Sequence, residues 1–295
     1  MWSRTAAVVL TLLASVLASA ARADTVLVFD PASPTAPVSR IRAIDLDRLE
    51  ADLAERGLEM PSRIDVALLA NDDERGRNVP PWIVGLALEP SRIVIFHERV
   101  LAYPYDSLES VFRHEVAHLA LTAGAGGRPL PRWFHEGVAM SVDRGWDTAG
   151  RLRLLLEMTG NPATADLTRL FASSSQPAAA QAYGLSAALV ADIERRHGRT
   201  APARIAGRVA SGMPFPAAFE QETHETPDAA AERAWRGYRR WTMWVSALTG
   251  ENAIWGLIVI LAILASIVQA RRRARRRARW DEEESLDGYR PPEWH

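Results

Sequence analysis

Apolar positions change their spacing once along this chain, and the change divides it. In the first part they come in short runs. Thr25 to Phe29 alternates weakly and predicts a strand, Ile64 to Ala70 predicts another, and Ile83 to Leu88 and Ile93 to Phe96 are two more short apolar segments divided by Glu89-Pro90-Ser91. Between them Ile44, Leu46, Leu49, Leu53 and Leu58, with Gly57 near the stop, predict an amphipathic helix over 44–58. Pro31 to Ser39 reads as a Pro/Ser loop and Asn71 to Asn78 as a charged turn. From Asp106 onward the period becomes helical, with candidates at 106–123, 132–143, 149–159, 166–172, 179–197, 200–210 and 227–242. The pattern therefore predicts an α+β chain, a small sheet-bearing half over 24–105 followed by a mostly helical half over 106–245, with no internal repeat.

Two further apolar runs lie outside that pattern. Residues 1–23 carry Arg4, an apolar stretch from Ala6 to Leu17 and a small-x-small ending at Ala21-Arg22-Ala23, the layout of a cleaved signal peptide. Residues 253–270 hold no formal charge and are long enough for one C-terminal transmembrane helix. Seven arginines follow at once, between Arg271 and Arg279, as behind a stop-transfer segment whose positive flank stays in the cytoplasm. The expected topology is N-terminus out and C-terminus in, with 271–295 as cytoplasmic flank and tail.

Composition sharpens this picture. With 48% hydrophobic and 24% charged residues, the 295-residue chain has the make-up of a folded protein. The absence of cysteine excludes disulfides, thiolate metal sites and a cysteine nucleophile. The net charge of −1 conceals an uneven distribution: residues 24–250 hold 25 arginines against 29 acids, the flank is +7, and the acidic tail from Asp281 is −5. Because the arginine run abuts the apolar stretch, it reads as an anchor contacting anionic lipid, and no nucleic-acid partner is expected. All-arginine, alanine-rich usage suggests a high-GC bacterial source. The expected location is a bacterial inner membrane, with a single pass and the main domain on the periplasmic side.

The chemistry is concentrated in His114-Glu115-Val116-Ala117-His118. Histidines at i and i+4 leave one helical face together and can grip one metal ion, while Glu115 emerges about 100° away, placed to polarise water there. Asp106-Ser107-Leu108-Glu109 reads as a capping box, and glycines at 124, 126 and 127 as the stop. A hydrolytic zinc usually takes three protein ligands and keeps one open position. The metzincin extension would need Gly at 121 and His at 124, where this chain has Leu121 and Gly124. Further on lies Pro131-Arg132-Trp133-Phe134-His135-Glu136-Gly137-Val138-Ala139, with two adjacent candidates. His135 and Glu136 diverge by about 100° on a helix, so both cannot readily bind the same ion.

HExxH followed by W-x-x-E-G-x-A resembles the gluzincin metallopeptidases, specifically the bacterial peptidase MA-like proteins. The resemblance covers roughly residues 60–242. It implies a zincin-like domain, a small mixed sheet with an active-site helix and then a helical half, with Zn2+ held by His114, His118 and Glu136 and with Glu115 as general base. Glu136 is preferred over His135 because the family places its ligand directly before the glycine. Met140 stands where thermolysin-like enzymes carry an orienting Asp, which leaves Asp143 and Ser110 as candidate partners of the zinc ligands. Pro81 to Ala87 resembles the edge strand that holds an extended peptide, so Gly85, Leu86 and Ala87 are candidate substrate contacts, with an ordinary core strand as the alternative. Tyr183, in Gln181 to Ser186, is a candidate donor to a developing oxyanion, or a structural tyrosine. Helix 230–241 around Trp235 reads as packing, Trp82 and Trp133 as core or cleft wall, and His97, His197 and His224 as isolated.

The expected function is that of a membrane-anchored zinc metallopeptidase, with peptide or protein as substrate and lipid met through the single-pass anchor. Water activated by Glu115 would hydrolyse the peptide bond. The alternative is a catalytically inactive, membrane-anchored binding or scaffold module on the same fold.

Overall fold

The computed structural model describes residues 25–100, 107–143, 162–173 and 175–236, with single helical positions at Leu261, Ile263, Ser266 and Gln269. Strands β1 (Val26–Phe29), β2 (Arg63–Leu69), β3 (Gly85–Leu88) and β4 (Arg92–Phe96) form a mixed sheet in the order β1-β2-β4-β3. β1, β2 and β4 run parallel, and β3 returns antiparallel to β4 as the edge. Alternation decides which face is covered: Ile64, Val66, Leu68, Ile93 and Ile95 are all buried beneath helices.

The helices are α1 (Thr35–Arg42), α2 (Leu46–Ala54), α3 (Leu108–Gly124), α4 (Arg132–Asp143), α5 (Thr164–Ala172), α6 (Gln176–His197), α7 (Ala201–Ala210) and α8 (Phe215–Thr223), followed by a helical stretch at 227–236. α3 is central, packed on β3 and β4 on one side and on α4 and α7 on the other. Its N-cap is Ser107, whose hydroxyl accepts the Ser110 N–H at 3.1 Å. Its stop is as expected: Gly126 and Gly127 adopt φ of +62° and +69° just past the helix.

Two helices depart from the sequence expectation. The stretch read as a Pro/Ser loop folds as α1, because Pro37 falls in the first turn, where its missing N–H costs nothing, and Val38 and Ile41 are buried. α8 was not anticipated at all. Phe215 and Phe219, at i and i+4, bury against Trp133, whose ring centroid lies 5.9 Å from that of Phe215 and 6.3 Å from that of Phe219.

The α+β architecture with a small mixed sheet is as expected, but the membrane-crossing part of that expectation is corrected. Among the described residues, no helix is long and apolar enough to cross a membrane. α6 reaches 22 residues but carries Asp192, Glu194, Arg195 and Arg196, and α3 has 17 residues interrupted by Arg113, His114 and Glu115. A bilayer core asks for about 20 apolar residues in succession. Of the run 253–270, only the four isolated positions are described. The expected signal peptide 1–23, the Asp106 cap, helix 149–159, the end of helix 227–242 and the flank and tail over 271–295 lie outside the described residues. The chain divides into two units, Met1–Arg236 and Gly237–His295, and both the sheet and the helices α1 to α8 belong to the first.

Candidate metal centre

α3 and α4 pack side by side and turn three side chains toward one point. His114 and His118 leave the same face of α3, with ring centroids 4.7 Å apart and Nε2 atoms 3.1 Å apart. From α4, Glu136 brings Oε2 to 3.3 Å from His114 Nε2 and 3.4 Å from His118 Nε2. His114 and Glu136 are buried and His118 is half-buried, and their ligand atoms lie within 4.8 Å of one another. A tetrahedral ion with bonds of about 2.0–2.1 Å places its ligand atoms about 3.3 Å apart. The three observed separations match such an edge, so these residues form a group able to hold a metal ion.

Electrostatics fit the same reading. Burial lowers the pKa of His114, which keeps its imidazole neutral. Burial opposes a proton on His118, but the Glu136 carboxylate outweighs it and raises that pKa. For Glu136, burial pushes upward and the two histidines overcome it, holding the carboxyl well below its ordinary range. Metal binding displaces a proton from such a cluster, because imidazole ligands bind in their neutral form.

Glu115 leaves α3 on the side of the sheet edge. Phe96 N–H donates to Val84 C=O at 2.8 Å, which fixes the antiparallel alternation of β3 on β4. Leu86 and Leu88 therefore turn their N–H and C=O toward β4, and Gly85 and Ala87 turn theirs to the open edge. The Ala87 N–H on that edge favours the charged form of the Glu115 carboxylate. A Cβ on residue 85 would sit 2.4 Å from Glu115 Oε1, so glycine is what admits the carboxylate here. Burial raises the Glu115 pKa to about 7, with Glu136 adding to the rise and His118 and the Ala87 N–H opposing it.

A cleft of about 660 Å³ opens over this centre, bounded by β3, α3, α4, α5 and α6. Tyr183 lines it from α6, with its ring centroid 6.4 Å from that of His114 and 5.4 Å from that of Phe171. Burial raises its phenol pKa above the ordinary value, so it stays a neutral donor at physiological pH. α4 reaches α6 closely because residue 137 is glycine: a Cβ there would meet the Ser186 carbonyl at 2.5 Å. The glycine after Glu136 thus sets the spacing between the metal-facing carboxylate and Tyr183.

The structure brings together His114, Glu115, His118, Glu136, Tyr183 and the Gly85–Ala87 strand around one cleft. His135 lines the cleft as well, its ring 5.6 Å from His118, but it stands outside the ligand group, and burial drops its pKa to about 4. Ser110 and Asp143, suggested as steadying partners of the histidines, bond to each other at 2.8 Å. Trp133 is core, whereas Trp82 lines the cleft. His97, His197 and His224 take no part in the ligand group. Sequence reading missed Arg132 and Phe171. Arg132 Nε donates to Glu136 Oε1 at 3.3 Å, and its guanidinium lies 4.7 Å over the Phe171 ring. The i,i+4 spacing of Arg132 and Glu136 on a common helix was the available signal.

No known family model matches this chain, and no curated protein matches its sequence, so donor chemistry and geometry carry the interpretation of the site.

Proposed function

We propose that this chain is a zinc-dependent peptidase of gluzincin type. The observation that supports it most is the coincidence of a His-His-Glu ligand group with a separate buried carboxylate, Glu115, at the open edge of a strand. His114, His118 and Glu136 would hold the ion. Once bound, zinc supplies a Lewis acid that acidifies water and polarises a carbonyl.

The chain's own residues do the remaining work. Gly85 and Ala87 present backbone groups to an extended peptide, which would pair along β3 as an added strand. Glu115 takes a proton from the attacking water and delivers it to the amine nitrogen as the C–N bond breaks. Burial raises the Glu115 pKa, which makes the carboxylate a stronger base toward that water. Tyr183 offers its hydroxyl to the carbonyl oxygen as negative charge develops there.

The test is zinc analysis of the purified full chain together with hydrolysis of a mixed peptide library. One equivalent of zinc and cleavage are expected. Glu115→Gln should keep the zinc and lose turnover by about 10³-fold. Undiminished turnover in that variant, or a chain that holds no zinc, would overturn the assignment.

A further inference from the structure

We propose that Arg132 reads a carboxylate on the peptide substrate, either its C-terminus or an Asp or Glu side chain near the scissile bond. The proposal rests on the peptidase reading and adds a substrate preference to it.

Among the described residues lining the cleft, Arg132 is the one guanidinium. Three contacts hold it. Its Nε donates to Glu136 Oε1 at 3.3 Å, its Nη1 donates to the Phe171 carbonyl at 3.3 Å, and its plane covers the Phe171 ring. Yet half of its side chain remains exposed, at 50%. A guanidinium carries five N–H donors in a rigid fork, more than these contacts engage. The head group is thus held in place and still offers donors to the cleft, the arrangement that binds a carboxylate through paired hydrogen bonds.

Charge balance points the same way. Glu115 and Glu136 are the two carboxylates at the centre, and a divalent ion on the ligand group offsets both. The third carboxylate of the lining, Glu89, is exposed and screened by water. With such an ion bound the centre carries a net positive charge, and Arg132, paired to Glu136 on one side only, is its exposed part. Phe171, against which the guanidinium lies, excludes water from one side and strengthens an ion pair formed there. An incoming carboxylate completes the balance, and a neutral amide in its place leaves the excess positive charge as it was.

The experiment compares three hexapeptides of one sequence: both ends blocked with no acid, a free C-terminal carboxylate, and both ends blocked with one Asn replaced by Asp. Binding is measured to the zinc-loaded full chain carrying Glu115→Gln, so that no turnover intervenes. At least one acidic peptide should bind about tenfold more tightly than the neutral one. Whichever shows the preference identifies its source. Arg132→Gln should abolish the preference at equal zinc content, and Arg132→Lys should keep part of it, which separates charge recognition from a folding defect. Equal binding of all three peptides, or a preference that survives Arg132→Gln, overturns the role of Arg132. If the unsubstituted chain still cleaves the neutral peptide, the peptidase reading stands apart from that result. Absence of binding and cleavage for all three overturns both.

Discussion

Arg113 and His114 are neighbours on α3, yet they enter two buried polar clusters of opposite character. Behind the cleft, Arg113 Nη2 donates to the Asp52 carboxylate at 2.5 Å and to the Val142 carbonyl at 3.0 Å. Beside it, Arg56 donates to the Ser141 carbonyl at 2.5 Å, to the Ser141 hydroxyl at 3.1 Å and to the Asp52 carbonyl at 2.8 Å. Glu194 accepts from the Ser141 hydroxyl at 2.9 Å. Two cations thus meet the last carbonyls of α4, where the helix dipole favours positive charge. This rear cluster is complete in itself. The front cluster turns two imidazole nitrogens and a carboxylate oxygen to one point, a group able to hold a metal ion. One group of polar residues closes the fold, and the other leaves it open to a ligand.

Removing a member of each cluster should separate these roles. The largest effect is expected from His118→Ala or Glu136→Ala: hydrolysis should fall by at least about 10³-fold and zinc content toward zero. For His118→Ala the stability of the metal-free chain should fall by only about 1 kcal/mol, because Glu136 keeps His114 and Arg132 as partners. A variant that loses stability without losing zinc would break the comparison.

Next in size is Arg56→Met. It strands the Ser141 carbonyl and Glu194 without their cation, and chemical denaturation should show a loss of about 3 kcal/mol. The loss should be the same with and without zinc, since the rear cluster does not face the cleft. The third measurement is the zinc increment. At a hundredfold excess over Kd, zinc should add about 2.7 kcal/mol to the unsubstituted chain and to Arg56→Met alike, and nothing to His118→Ala. An increment lost in Arg56→Met would mean that the clusters are coupled through α4.

An ion pair between α7 and α8, away from the cleft, gives the baseline. Burial pushes the Glu222 pKa upward, but Arg204 and Arg208 outweigh it and hold the pKa below its ordinary value of 4.5. For a carboxyl lowered in the folded state, the added stability is present above pH 4.5 and is lost as pH falls through the folded value. Glu222→Gln should therefore destabilise near neutrality by less than about 1 kcal/mol, because Arg204 is nearly half exposed. The difference should vanish in acid. A gap that persists at low pH would assign Glu222 a packing role instead.

Much of the centre was legible in the order of residues, because a helix converts spacing into direction over a single turn. His114 and His118 share a face by that rule alone, and Glu115 is turned away from it by the same rule. The segment around Glu136 was found through its resemblance to a family pattern. α1 and α8 were missed because each rests on a few apolar contacts with partners far along the chain, such as Phe215 on Trp133. The membrane-crossing helix was expected from a run of apolar residues, and no described helix meets that description.

The sequence by itself therefore determined the i,i+4 histidine pair, the turn-by-turn placement of Glu115 and the alternation of the buried strands. Those depend on backbone periods of a few residues. Only tertiary structure decided that Glu136 arrives about 3.3 Å from both histidines, that Gly85 leaves room for Glu115, and that Gly137 draws α4 onto α6. It also placed Arg132 over Phe171 with donors left for the cleft. The physical reason is range. Helical and strand periods are short-range properties of the chain, whereas a ligand group and a cleft are made where distant segments pack, at distances that no spacing along the sequence encodes.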